Sequence, residues 1–487
     1  MRLLLLLVTA ASCAAARPPF TGAFPWKRVP TMCQTHWGGA FSRKGMAGTG
    51  RLTDAAVRFL AQNYDLIVAN GLDPDDANAT CGESKVAAFA DRVAAVNPHA
   101  RVLVYNANQL HHGADVPPGA KPDTPGSYMC GLDNFQPEWR ATYDNGTAYT
   151  THGGTQYVHN LSIPAARAWW LRVVTNATLG PNVAGVFADN SLDQPPAWCS
   201  PARAAALLRG QQQLLDEVRA AGKYVIFNGI RYALNHNGKA RNDFDALDTL
   251  LPHASSGYCE PWLSAAYRNT TTGTLNAPYA THALLKMINV SRAQPDRGMT
   301  FKAGPGPCVG YMAGQDLGCT WPFANGTKGV PNKMNGTPPT AEERRAAAAK
   351  LITFPLATFL CAAGPLWHLD YTWGYTINDF VPNDHATGAF PGQPKLQSNV
   401  GGGGGGGGGG WWWWWWWWWS LWGGELTRCT PHHHQVPDGW YPDLLQAPGT
   451  PLGECAYDSA TQSFSREWSG VSVTLSMANE TAEIRWK

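Results

Sequence analysis

Two acids, Asp189 and Glu260, stand at the ends of short apolar runs, "VAGVFADN" (183–190) and "ASSGYCE" (254–260). A run of this kind is what a buried strand shows when its last side chain works at a mouth. Hydrolysis of a glycosidic bond needs two carboxyl groups flanking it, one to attack the anomeric carbon and one to protonate the leaving oxygen. Asp189 and Glu260 are therefore the candidate catalytic pair. Amides and aromatics gather at or just beyond the ends of the other runs: Tyr105, Asn106, Asn190, Asn228, Trp37, Trp262 and Trp373, together with Lys302 and His368. Aromatic faces stack on sugar rings and amides bond their hydroxyls, which makes these residues the candidate substrate contacts.

Positioning such groups requires a scaffold whose strand ends converge. Eight short apolar runs alternate with longer helical patterns: 28–34, 64–70, 101–108, 183–190, 224–229, 254–260, 299–304 and 365–371. That alternation is the mark of strand-helix-strand units and a parallel sheet. Eight units between residue 27 and about 375 predict an α/β fold, a closed (β/α)8 TIM barrel, with an open doubly wound sheet as the alternative. Helix boundaries are legible too. Thr53 with Asp54 opens one helix, and Ser200 before Pro201 opens another that stops at Gly222. Thr340 with Glu343 forms a capping box before "RRAAAAKLITFPLATFLCAA", with a kink expected at Pro355 and a stop at Gly364.

Plainer roles compete for the same residues. An acid after a parallel strand often caps the next helix, and Ser191 and Asp193 offer rival caps beside Asp189. Glu260 could be a loop carboxylate or half of a salt bridge, and Lys302 a satisfied rim lysine. His368 and Trp373 read equally well as barrel filling.

The 487 residues exceed one ordinary domain but fit a large barrel with an appendage. With 37 basic and 35 acidic residues well mixed, the net charge of +2 gives no footprint for nucleic acid or an anionic membrane. The start, Met1-Arg2 followed by "LLLLLV" and "TAASCAAA", predicts a secretory leader over residues 1–16. Nine Asn-x-Ser/Thr sequons follow, from Asn78 to Asn479, and no later run is long enough to anchor the chain in a membrane. The expected setting is the secretory-pathway lumen or the exterior of a eukaryotic cell. Removing the leader leaves ten cysteines and room for up to five disulfides. Their spacing makes no zinc site, and the absence of a Walker loop, a strand-linked GxGxxG and HExxH leaves no cofactor to expect.

Ten glycines at 401–410 run into nine tryptophans at 411–419. Glycine from GGT and tryptophan from TGG are one trinucleotide repeat read in two frames, so this tract reads as a translated repeat or a frame error and an aggregation hazard. Beyond it "FSREWSGVSVTLSMANETAEIRWK" alternates as strands do. The expected organisation is a leader (1–16), a barrel (17–380), a linker with the tract (381–419) and a small C-terminal antiparallel β module (420–487).

The stretches "VAGVFADN", "YVIFNG", "GYCEPW", "IPAARAWWLRVV" and the tail "GWYPDLL…PLGE…FSREWSGVSVTL" together resemble the TIM-barrel glycoside hydrolases related to endo-α-1,4-polygalactosaminidase-like barrels. That resemblance implies that Asp189 matches the acid ending the fourth strand, as nucleophile, and Glu260 the acid on the sixth, as acid/base of a retaining enzyme acting on α-linkages. The cysteine-rich segment Cys308 to Asn335 departs from the pattern and would form a lid or a block over the mouth. The implied partner is an oligo- or polysaccharide. Two other functions remain open: a carbohydrate-binding barrel without catalysis, and a structural glycoprotein of the cell surface.

Overall fold

The computed structural model describes residues 20, 24–35, 54–69, 82–107, 110–111, 135–151, 156–175, 179–191, 198–230, 245–260, 262–263, 267, 274–303, 351–371 and 441–487. The leader, Trp37, Trp373, the Cys308–Asn335 segment and the Gly/Trp tract lie outside them. Eight parallel strands form one sheet in chain order: Met32–Thr35, Leu66–Ala69, Arg101–Ala107, Val183–Asp189, Tyr224–Ile230, Ser256–Cys259, Gly298–Ala303 and His368–Tyr371. Every expected strand is present. A doubly wound sheet would reverse its strand order at a switch point. Here the order never reverses, and the first strand meets the last through a Thr31–Leu369 bridge and a 2.9 Å bond from the Leu369 N–H to the Pro30 carbonyl. The result is a nearly closed (β/α)8 barrel.

Side chains alternate across its wall as the pleat requires. Met32, Leu66, Val68, Leu103, Tyr105, Phe187, Ile226 and Tyr258 pack inside. Ile67, Val102, Val104, Val186, Val225, Phe227 and Leu369 face the helices. Phe20 lies 4.8 Å from Tyr224 and Phe24 stands edge-on to His368 at 5.2 Å, so the N-terminal segment plugs the bottom of the barrel. At Gly185, in the fourth strand, a side chain has no room: a Cβ would sit 1.8 Å from the Tyr224 carbonyl oxygen of the adjoining strand.

The Pro201–Ala220 helix starts at the expected proline, and Gly222, at φ +73°, ends it in the left-handed conformation that glycine adopts cheaply. Ser200 makes no side-chain cap; its N–H bonds Asp144 instead. The expected irregularity at Pro355 is present: Leu351 is helical, the pattern breaks at Ile352 and resumes as the Thr353–Ala362 helix, because Pro355 has no N–H to offer the Leu351 carbonyl. Every residue from Pro355 to Ala362 is buried. A helix apolar on all sides needs cover on all sides. The barrel supplies one side, and the other is supplied by a four-stranded antiparallel sheet, Ala456–Asp458, Ser463–Glu467, Val471–Ser476 and Thr481–Trp486.

Three contacts lock this sheet to the barrel. Trp26 packs between Phe359 and Trp468. Cys361 is disulfide-bonded to Cys455 across 94 residues of chain. The guanidinium of Arg466 donates to the carbonyls of Leu360, Cys361 and Ala363 at 3.3, 3.0 and 2.7 Å while lying over the Trp468 ring. It thereby satisfies the carbonyls left over at the helix C-terminus, where a cation also meets the negative end of the helix dipole. Burial lowers its pKa to about 10. The ceiling of five disulfides comes down, since Cys33, Cys199 and Cys259 are thiols, Cys33 and Cys259 buried on the helix-facing side of the strands.

Two outcomes test this packing. Gly185→Ala should lower the unfolding free energy by about 3 kcal/mol, read as a reduced urea midpoint, because backbone cannot yield as a side chain can. Arg466→Ala should cost about 2 kcal/mol through the orphaned carbonyls, with the loss seen in thermal unfolding.

Candidate active site

The fourth strand delivers Asp189 to the mouth in the inward phase of Phe187. Asn190 then takes φ +54°, a left-handed conformation that asparagine tolerates better than most residues. The turn folds Asn190 back on its neighbour: its N–H donates to Asp189 Oδ1 at 2.8 Å and its side-chain amide to Oδ2 at 3.2 Å. From the third strand the Tyr105 hydroxyl also donates to Oδ2, its ring stacked near Phe187. From the fifth strand Asn228 Nδ2 donates to Oδ1 at 2.8 Å. Asp189 is thus held by groups on the third and fifth strands and by the residue that follows it on the fourth.

The same nitrogen makes a second bond. Asn228 Nδ2 donates to Glu260 Oε2 at 2.6 Å, so one amide group spends its two hydrogens on two carboxyl groups. Two bonds of 2.8 and 2.6 Å from a common atom keep Asp189 Oδ1 and Glu260 Oε2 no more than about 5.4 Å apart, so the two carboxyl groups border one space at the mouth. Glu260 is half-buried and turned inward, not an outward loop carboxylate. Asn228 itself is 3 % exposed, which makes it a rigid part of the wall.

One layer deeper the barrel carries charge. Lys302 and Asp370 face each other on the seventh and eighth strands with 3.5 Å between Nζ and Oδ2, both completely buried. Tyr258, two residues before Glu260, donates its hydroxyl to the same Asp370 oxygen at 2.8 Å. Burial, and then the charges of Asp370 and Glu260, push the Tyr258 phenol well up, so it serves here as a donor.

Several expected substrate contacts lie elsewhere. Lys302 is not a rim residue but part of the buried ion pair. His368 sits at the start of its strand, at the bottom of the barrel beside Phe24, where burial lowers its pKa to about 3 and keeps the ring neutral. Trp262 is 2 % exposed and turned to the helix layer, its indole N–H bonded to Thr358 at 2.8 Å. Asn106 follows the helix-facing phase of Val102 and Val104 and is 3 % exposed. Tyr105, Asn190 and Asn228 do meet at the mouth, as supports of Asp189. Tyr258 was missed in the sequence, although its place two residues before Glu260 puts it on the same inward face.

No protein-family model matches the chain, and no curated protein matches it. Among solved structures, the glycoside hydrolase domain of PelA from Pseudomonas aeruginosa is 14 % identical over 56 % of this chain and 83 % of its own, at a TM-score of 0.33. The α-galactosidase TtGalA from Thermus thermophilus, in complex with stachyose, is 14 % identical over 73 % of this chain and 63 % of its own, at 0.35. The GH36 α-galactosidase AgaB from Geobacillus stearothermophilus is 12 % identical over 70 % of this chain and 38 % of its own, at 0.34. The chain thus spans less than two thirds of either α-galactosidase, and what the site does must come from its geometry.

Proposed function

We propose that this protein is a glycoside hydrolase of the retaining type, with Asp189 as nucleophile and Glu260 as general acid/base. The observation that carries the reading is the single Asn228 nitrogen bonded to both carboxyl groups at the barrel mouth. In the first step an Asp189 oxygen bonds to the anomeric carbon as the bond to the leaving oxygen breaks, and the Glu260 proton passes to that oxygen. In the second, Glu260 takes a proton from water, the water oxygen bonds to the anomeric carbon, and the bond to Asp189 breaks. Tyr105 and Asn190 orient the attacking carboxylate, and Asn228 holds both acids in register.

The substrate class in this reading is an oligo- or polysaccharide. Its setting is outside the cell, a view supported by the leader-like start and by sequons at Asn145, Asn289 and Asn479 that lie exposed. No helix among the described residues is long and apolar enough to cross a membrane.

The test is hydrolysis of a panel of α- and β-linked aryl glycosides and oligosaccharides, with the anomer first released identified by NMR. Retention of configuration supports the reading; inversion overturns the nucleophile assignment, and sugar binding without turnover replaces the enzyme by a binding barrel. Asp189→Asn should lower kcat about a thousand-fold or more on every substrate. Glu260→Gln should spare the first step for substrates whose leaving group needs no proton, so its loss is far smaller on nitrophenyl glycosides than on oligosaccharides. Asn228→Ala should cost about a hundredfold in kcat with KM little changed, as expected when an oriented donor is removed from a dry site.

A further inference from the structure

The charged layer beneath the mouth has no evident role in stability. Replacing a buried ion pair by apolar residues is often neutral or favourable, so a pair in the middle of a barrel calls for another explanation. Among the described residues Lys302 is the cation buried completely; Asp370 pairs with it, and Asp189 and Glu260 are the other inward acids, at the mouth above. The other titratable groups on or behind this face are phenols, thiols and the imidazole of His368, which burial keeps neutral two residues before Asp370. Tyr258 bonds Asp370, Tyr105 bonds Asp189, and Cys33 and Tyr64 lie behind the wall, both pushed well up by burial and therefore uncharged. Charge in the core is thus set by one lysine and three carboxyl groups. The backbone adds a mechanical link, because the Trp262 N–H donates to the Lys302 carbonyl at 2.6 Å and ties the turn after Glu260 to the seventh strand.

A retaining glycosidase works with one acid ionised and one protonated, so its pair must share a single proton. We propose that Lys302 and Asp370 are positioning residues for that purpose: each cancels the other's charge below the mouth, and the Asp189–Asn228–Glu260 unit is left to divide one proton between its two acids. This rests on the glycosidase reading but makes its own claim. An unbalanced Asp370 would add a third negative charge and hold protons on the pair too tightly; an unbalanced Lys302 would strip the acid of its proton. Tyr258 fixes the Asp370 oxygen that faces the lysine, so the cancellation has a defined geometry.

The experiment is an infrared difference titration of the full-length protein, following the carboxylic-acid carbonyl band that Glu260→Gln removes. Asp370→Asn should lower the midpoint of that band by about one pH unit, and Lys302→Met should raise it by about as much. The double variant Lys302→Met/Asp370→Asn should return it to the wild-type position. Thermal unfolding shows which variants fold; if Lys302→Met does not, Asp370→Asn and the double variant decide. Singles that move the midpoint in the same direction, a midpoint indifferent to Asp370→Asn, or a double variant still displaced would overturn the proposal. The alkaline limb of kcat on oligosaccharides, whose leaving group needs the Glu260 proton, should follow the same shifts while KM stays in place. Should the wild type hydrolyse no glycoside, the function reading fails, and the band midpoints still decide the role of the ion pair.

Discussion

A side-chain amide has two hydrogens on one nitrogen, and in this protein both point at carboxyl groups. Asn228 must therefore stand between Asp189 and Glu260, on a strand between theirs, at the height where both acids leave the sheet. Only fixed register in a parallel sheet provides that. The fifth strand pairs with the fourth and with the sixth, and a shift of one residue on either side would turn Asn228 toward the helices. The amide also has one workable orientation, because reversed it would set an oxygen against two acceptors.

The barrel that holds this register is stabilised by ordinary means at its base and outer wall. Aromatic and aliphatic side chains fill its lower half, the N-terminal phenylalanines close the bottom, and the helices cover the outward residues. Polarity rises toward the other end, from the neutral imidazole of His368 through the Lys302–Asp370 pair to the two acids. Each polar step out of water demands a partner. Tyr258 joins the two upper layers, since it is the inward residue two positions before Glu260 and bonds Asp370.

Much of this was legible in the residues. All eight strands announced themselves as apolar runs, and the two acids were found because a barrel makes strand ends the place to look. Phase was harder to read. Asn106 and Tyr105 are neighbours of similar polarity, and nothing local says which one faces in until the pairing partners are known. The seventh strand hid Lys302 for a related reason: a lysine near a strand end reads as a rim residue, while the pairing that puts it opposite Asp370 joins positions 68 residues apart. Trp262 stands two residues past Glu260, but its turn bonds back to the seventh strand and carries the indole into the helix layer. The all-apolar Thr353–Ala362 helix needs a covering element, but nothing in its own residues says that Arg466, a hundred or so positions later, finishes it.

The sheet that covers that helix lies beyond the ten glycines and nine tryptophans, so a chain ending within that tract would lose the cover and keep all eight barrel strands. Such a chain would present the outer face of that helix, Phe359 and its neighbours, to solvent. Cover for the barrel's last described helix thus depends on the chain that follows the tract.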